Sequence, residues 1–103
     1  MEKLTDEQRL HTAIEKAREG LSTGNDPYGA AIFDGDRLIA AEHNRVVSTG
    51  DPTAHAEIEA IRTACGIATT EVLRRSTLFA SCEPCPMCMG AIRWVGIKYV
   101  FYA

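Results

Sequence analysis

His55-Ala56-Glu57 and Cys85-Pro86-Met87-Cys88 contain the residue types that bind a transition metal and put it to use. One imidazole nitrogen and two thiolates are a donor set that tetrahedral zinc accepts, at about 2.0–2.1 Å for nitrogen and about 2.3 Å for sulfur. Cys85 and Cys88 are three apart, and residues i and i+3 share a helical face, so a helix starting there would aim both sulfurs at one ion. His55 is the best third ligand. Three protein ligands leave a fourth position open, and zinc in such a site lowers the pKa of a water to about 7. Glu57 lies two residues beyond His55, about 200° round a helix, and so cannot copy the histidine's direction. Its expected part is to carry the water's proton and not to bind the ion.

Other readings of the same residues give different expectations. A closed structural zinc would need a fourth ligand, and Cys82, Cys65, His43 and His11 are available. Cys82, Cys85 and Cys88 also imitate part of an iron–sulfur run, but that run needs a Cys followed by Pro after three more residues, where this chain has Ile92-Arg93. Otherwise Cys65 and Cys82 are read as small buried packing residues, and Met87 and Met89 as packing too.

Elements that could position these residues follow from the local pattern. Thr5 and Gln8 make a capping box, after which Leu10, Ala13, Ile14, Ala17 and Leu21 recur at helical spacing until Gly20 and Gly24 end the run. Tyr28 to Phe33 and Arg37 to Ala41 are strand-like runs around Asp34-Gly35-Asp36, which is hairpin chemistry. Asp51-Pro52-Thr53 signals a second helix with Ile58, Ile61 and Cys65 on its buried face and Gly66 at its end. A third strand is expected at about Ser76 to Ser81. A third helix follows, opened by Pro84 and Pro86 and running to Trp94 or Val95, and Lys98 to Tyr102 is a fourth strand. The expected order is α-β-β-α-β-α-β.

The chain of 103 residues, 46% hydrophobic and 24% charged, suits one domain over 1–103 with a single core. No run approaches the roughly 18 to 20 apolar residues of a membrane span, and MEKLTDEQRL is too polar for a signal peptide, so a cytoplasmic protein without a membrane partner is expected. Three cysteines crowded between Cys82 and Cys88 suit metal binding in a reducing compartment better than disulfides. A net charge of −3 argues against a broad phosphate-binding face.

DPTAHAEIEAIR and SCEPCPMCMGAIRW together resemble the zinc deaminases of the cytidine-deaminase-like superfamily, in the branch that holds guanine deaminases and the adenosine deaminases acting on transfer RNA. The resemblance runs from the first helix to the last residue; the CPMC run, with Trp94 after GAIR and then VFYA, leans toward guanine deaminase. It implies an α/β fold, a three-layer α-β-α arrangement with a mixed central sheet, here with about four strands and three helices. It also implies one zinc per chain on His55, Cys85 and Cys88, with Glu57 as proton shuttle and Asn44 bonded to the base. Backbone around Ala30, Ala54 and Ala56 would line the pocket, and Tyr28 and Trp94 would be its walls. The expected activity is hydrolytic deamination of a small-molecule nucleobase or nucleoside, first guanine to xanthine. Adenosine in transfer RNA or another polynucleotide, cytosine or cytidine, and an inactive zinc-stabilised binding module are the alternatives. Relatives continue past the fourth strand with a helix, a strand and a helix, where this sequence stops at Ala103. The chain is therefore expected to lack a C-terminal third and to pair KYVFYA with another copy in a homodimer or higher oligomer.

Overall fold

The computed structural model describes residues 3–103. Helix α1 (Asp6–Ser22) starts as its sequence requires: the Gln8 N–H donates to Thr5 Oγ1 at 3.1 Å and the Thr5 N–H donates to Gln8 Oε1 at 2.8 Å. Its buried stripe is Ala13, Ala17 and Gly20, while Leu21, expected in that stripe, faces outward. Strands β1 (Gly29–Asp34) and β2 (Arg37–His43) form the expected hairpin. Asp34 pairs with Arg37 across a two-residue loop whose Gly35 takes φ +60°.

The sheet order is β2-β1-β3-β4, with β3 (Thr77–Ala80) antiparallel to β1 and β4 (Tyr99–Tyr102) parallel to β3. Central β1 is covered on both faces, and its side chains alternate between them. Ala30 and Ile32 join Leu78, Ala80 and Ile92 in one core, whereas Ala31 and Phe33 join Ala13 and Phe79 in the other. The first core is covered by α3 (Ala56–Ile67) and α5 (Pro86–Val95), the second by α1, which is the three-layer α-β-α arrangement with a mixed sheet.

Two one-turn helices, α2 (Val46–Thr49) and α4 (Thr70–Arg74), were not expected, because a single turn has no apolar period to read. Helix α3 begins later than its start signal suggested. Asp51 Oδ1 accepts from the Thr53 N–H at 2.9 Å and from Thr53 Oγ1 at 2.7 Å, so Asp51-Pro52-Thr53 is a side-chain-closed turn, and His55 is the N-cap. The buried face of α3 is Ala56, Glu57, Ala60 and Ala64. The small alanines let the helix sit close to the sheet, which leaves Ile58 and Ile61 half-buried and Cys65 exposed, against the expected burial of that cysteine.

The close contact between β1 and α1 depends on Gly29. A Cβ there would stand 2.0 Å from the Ala13 carbonyl oxygen and 2.6 Å from the Ala17 nitrogen, both main-chain atoms that cannot swing aside. Gly29→Ala is expected to destabilise the fold by on the order of 3 kcal/mol, checked by urea denaturation of the two proteins side by side.

Candidate active site

All the candidate chemistry gathers at one end of the sheet, and strand direction explains why. Because β1 runs antiparallel to both β2 and β3, its first residues lie beside the last residues of those two strands. Tyr28 and Gly29 enter β1 there, Asn44 leaves β2, and Ser81 to Cys85 leave β3. The Gly29 N–H donates to Ser81 Oγ at 3.0 Å and the Ser81 N–H to the Gly29 carbonyl at 2.9 Å, tying two of these ends together.

Helices α3 and α5 point their N-termini at the same place. Their N-cap residues are His55 and Cys85, and neither side chain caps its helix, which leaves both free for another partner. Pro86 occupies the first helical position, where its missing N–H costs nothing, and Cys88 follows in the first turn. His55 Nδ1 lies 3.6 Å from Cys85 Sγ and 3.6 Å from Cys88 Sγ. Zinc bonds of about 2.3 Å to sulfur and about 2.0–2.1 Å to nitrogen, set at the tetrahedral angle, separate N from S by about 3.5–3.6 Å. Both nitrogen-to-sulfur separations therefore match one tetrahedral zinc, and all three donor atoms lie within 4.8 Å of one another. Among the described residues no other His, Cys or carboxylate joins this group, so Cys65, Cys82, His43 and His11 do not close it as a structural site.

Glu57 is only 7% exposed, and this burial pushes its carboxyl pKa above the ordinary carboxylate value. Burial, followed by the nearby Glu57 carboxylate, pushes the Cys88 thiol far up as well. A thiol kept protonated by burial and a neighbouring carboxylate is a group whose ionisation a bound cation favours.

Between these groups lies a cleft of about 350 Å³, within the range of small-ligand sites. Of the candidate site residues, Tyr28, Asn44, His55, Glu57 and Cys85 line it, and Cys88 is fully buried. Several expected residues do not. Ala30, Ala54 and Ala56 are packed in the interior and none borders the cleft, whereas their chain neighbours Gly29 and His55 do. Trp94 is 92% exposed and lies away from the cleft, because the buried side of α5 is carried by Cys88 and Ile92. Trp94→Ala should leave zinc content and kcat/KM within about twofold of the parent, since surface changes away from packing or polar networks have small effects; steady-state kinetics checks this. Cys82, expected to be buried, is exposed at the cleft wall, and Met87 and Met89 are part exposed.

Sequence reasoning missed Asp26, Val46, Pro52, Ser81 and Glu83 in the lining. Only Ser81 carried a signal, as the last residue of the strand leading into the cysteine run.

Residues 3–103 match the family described as the cytidine and deoxycytidylate deaminase zinc-binding region. Over 95 residues the chain is 47% identical to the guanine deaminase of Bacillus subtilis (strain 168), covering 91% of this chain and 61% of that protein. It is 36% identical over 94 residues to the tRNA-specific adenosine deaminase of Aquifex aeolicus (strain VF5), covering 91% and 62%. The X-ray structure of guanine deaminase from Bacillus subtilis superposes with a TM-score of 0.85 at 44% identity, over 97% of this chain and 64% of that one. The chain spans about three fifths of the length of the curated relatives it matches. From its matched residues and its donor geometry together, the chain belongs to the cytidine and deoxycytidylate deaminase zinc-binding family.

Proposed function

We propose that this chain carries the catalytic core of a hydrolytic deaminase that converts guanine to xanthine with release of ammonia. The observation that carries the reading is the buried Glu57 in the same cleft as three donors at zinc spacing. In this reading His55, Cys85 and Cys88 would hold one zinc, whose chemistry when bound would be to make water acidic near neutral pH. Glu57 would take a proton from the attacking water and pass it to a ring nitrogen, then take the remaining hydroxyl proton and deliver it to the departing amine. The bond from ring carbon to exocyclic nitrogen breaks, a carbon–oxygen bond forms, and water is consumed as ammonia leaves. Asn44 hydrogen-bonds the base and Tyr28 forms a wall of the cleft. Guanine is preferred as substrate because similarity to a guanine deaminase, at 47%, exceeds that to a tRNA deaminase, at 36%.

A second reading, adenosine held in transfer RNA, draws on that 36% relative. Charge argues against it. Arg9, Lys16, Arg18, Arg45, Arg62 and Arg75 are engaged in ion pairs with carboxylates, and the cleft lining holds Asp26, Glu57 and Glu83 but no Lys or Arg. Phosphate affinity needs free cations, and Arg37, Arg74, Arg93 and Lys98, which have no carboxylate partner among the described residues, lie outside the cleft lining.

An ammonia-release screen over guanine, adenine, cytosine and their nucleosides, with zinc quantified in the same sample, tests the proposal. Turnover of guanine above the others is the expected result, and a zinc-loaded chain that releases ammonia from none of them defeats the reading. A gel shift with an anticodon stem-loop at two salt concentrations tests the second reading, which requires binding that falls steeply with salt.

A further inference from the structure

We infer that His43 is a positioning residue, which fixes Asn44 so that its carboxamide faces the cleft as a hydrogen-bond donor; the inference rests on the reading that the cleft takes a nucleobase. His43 ends β2 and is only 4% exposed, and its Nδ1 lies 2.7 Å from the Asn44 carbonyl oxygen. A carbonyl can only accept, so Nδ1 carries the hydrogen. The ring has a place made for it: a Cβ on Gly20 would stand 2.9 Å from His43 Cβ and 3.0 Å from Nδ1, so only a glycine in α1 lets the imidazole sit there. A glycine inside a helix is otherwise unfavourable, and this contact accounts for it.

Asn44 is then held at every atom but one. Its N–H donates to the Tyr28 carbonyl at 2.9 Å, its carbonyl accepts from His43, and its Oδ1 accepts from the Val46 N–H at 3.0 Å. Since the Val46 N–H can bond only to the oxygen, the carboxamide has one orientation, and Nδ2 is the atom left for a ligand. The following loop is pinned as well: the Arg45 N–H donates to the Ala54 carbonyl at 2.9 Å and the Ser48 N–H to Asn25 Oδ1 at 3.0 Å. A residue held this way recognises a ring edge that carries a hydrogen-bond acceptor, either a carbonyl oxygen or an unprotonated ring nitrogen. His43 itself touches no substrate in this arrangement and acts through Asn44.

The test uses zinc-loaded His43→Leu, His43→Asn and His43→Gln variants of the full chain. Asn places a side-chain N–H where Nδ1 was, whereas Gln keeps a polar group but carries its N–H too far along. Amide hydrogen exchange at Val46 reads whether Asn44 Oδ1 is still in place, with Ile32 in β1 as the reference for the fold as a whole. Exchange at Val46 should quicken about tenfold in His43→Leu and His43→Gln, return to within about threefold of the parent in His43→Asn, and leave Ile32 unchanged in all three. With guanine, His43→Leu should raise KM about tenfold with kcat within about threefold, and should add nothing in an Asn44→Ala background. Unchanged Val46 exchange in His43→Leu, no rescue by Asn, acceleration shared by Ile32, or an effect additive with Asn44→Ala would each overturn the inference. If the parent chain releases no ammonia from guanine, the functional reading falls while Val46 exchange still decides the role of His43.

Discussion

Glu57→Gln is expected to keep one zinc per chain and an unchanged fold while ammonia release falls by about 10²–10⁴. The amide is nearly isosteric with the carboxyl, so the buried space that Glu57 occupies beside α5 stays filled. What is lost is the ability to accept a proton and give it back. Burial raises the Glu57 pKa, and a carboxyl poised nearer neutrality exchanges protons in both directions more readily than an exposed one. Metal analysis and single-turnover ammonia release on the same preparation separate the possible outcomes. Zinc retained with turnover lost assigns the proton transfers to Glu57, whereas zinc lost would make it a ligand. Turnover within about threefold of the parent would remove it from the chemistry and favour a zinc-stabilised binding module.

The candidate metal-site residues were legible in the sequence because their information is local. The spacing of Cys85 and Cys88 and the two helix starts place the donors without knowledge of the sheet, and the structure brings His55 to 3.6 Å from both sulfurs. Helix α1, the β1–β2 hairpin and the strand order along the chain were legible for the same reason, since capping boxes and turn residues act over a few positions. Which face each helix buries was not. Residue size suggested Ile58, Ile61 and Cys65, but the distance between α3 and the sheet is set by the smallest side chains that fit, so Ala60 and Ala64 point inward. Trp94 was misplaced by a similar cause: an aromatic near a metal motif invites a role in the pocket, yet its helical position puts it on the solvent side of α5. The cleft wall was hidden because it is assembled from the ends of three strands. Asp26, Val46 and Glu83 become neighbours only through the antiparallel pairing of β1 with β2 and β3, which no local pattern in these segments announces.

Cys88→Ser should abolish both zinc binding and turnover, and Cys82→Ser should do neither, although the two cysteines stand three residues either side of Cys85. The distinction is geometric. Cys88 lies on the first turn of α5 with its sulfur 3.6 Å from His55 Nδ1, while Cys82 is exposed at the cleft wall and, among the described residues, belongs to no group of donors within reach of one ion. A serine hydroxyl at position 88 stays protonated at neutral pH and is a poor match for zinc, which leaves His55 and Cys85 as two donors where three are needed. Stability should follow the metal. Any ligand that binds only the folded state stabilises it by RT ln(1 + [L]/Kd), about 4 kcal/mol when the zinc concentration is a thousandfold above Kd. In the parent and in Cys82→Ser, a chelator should therefore lower Tm and added zinc should restore it. In Cys88→Ser the Tm should already be low and respond to neither, because the ends of α3 and α5 then meet over an uncompensated set of buried polar groups. Differential scanning calorimetry with and without chelator, alongside zinc analysis, checks all three proteins. A Cys88→Ser variant that keeps stoichiometric zinc, or a Cys82→Ser variant that loses it, would move the metal to a different donor set from the one the geometry favours.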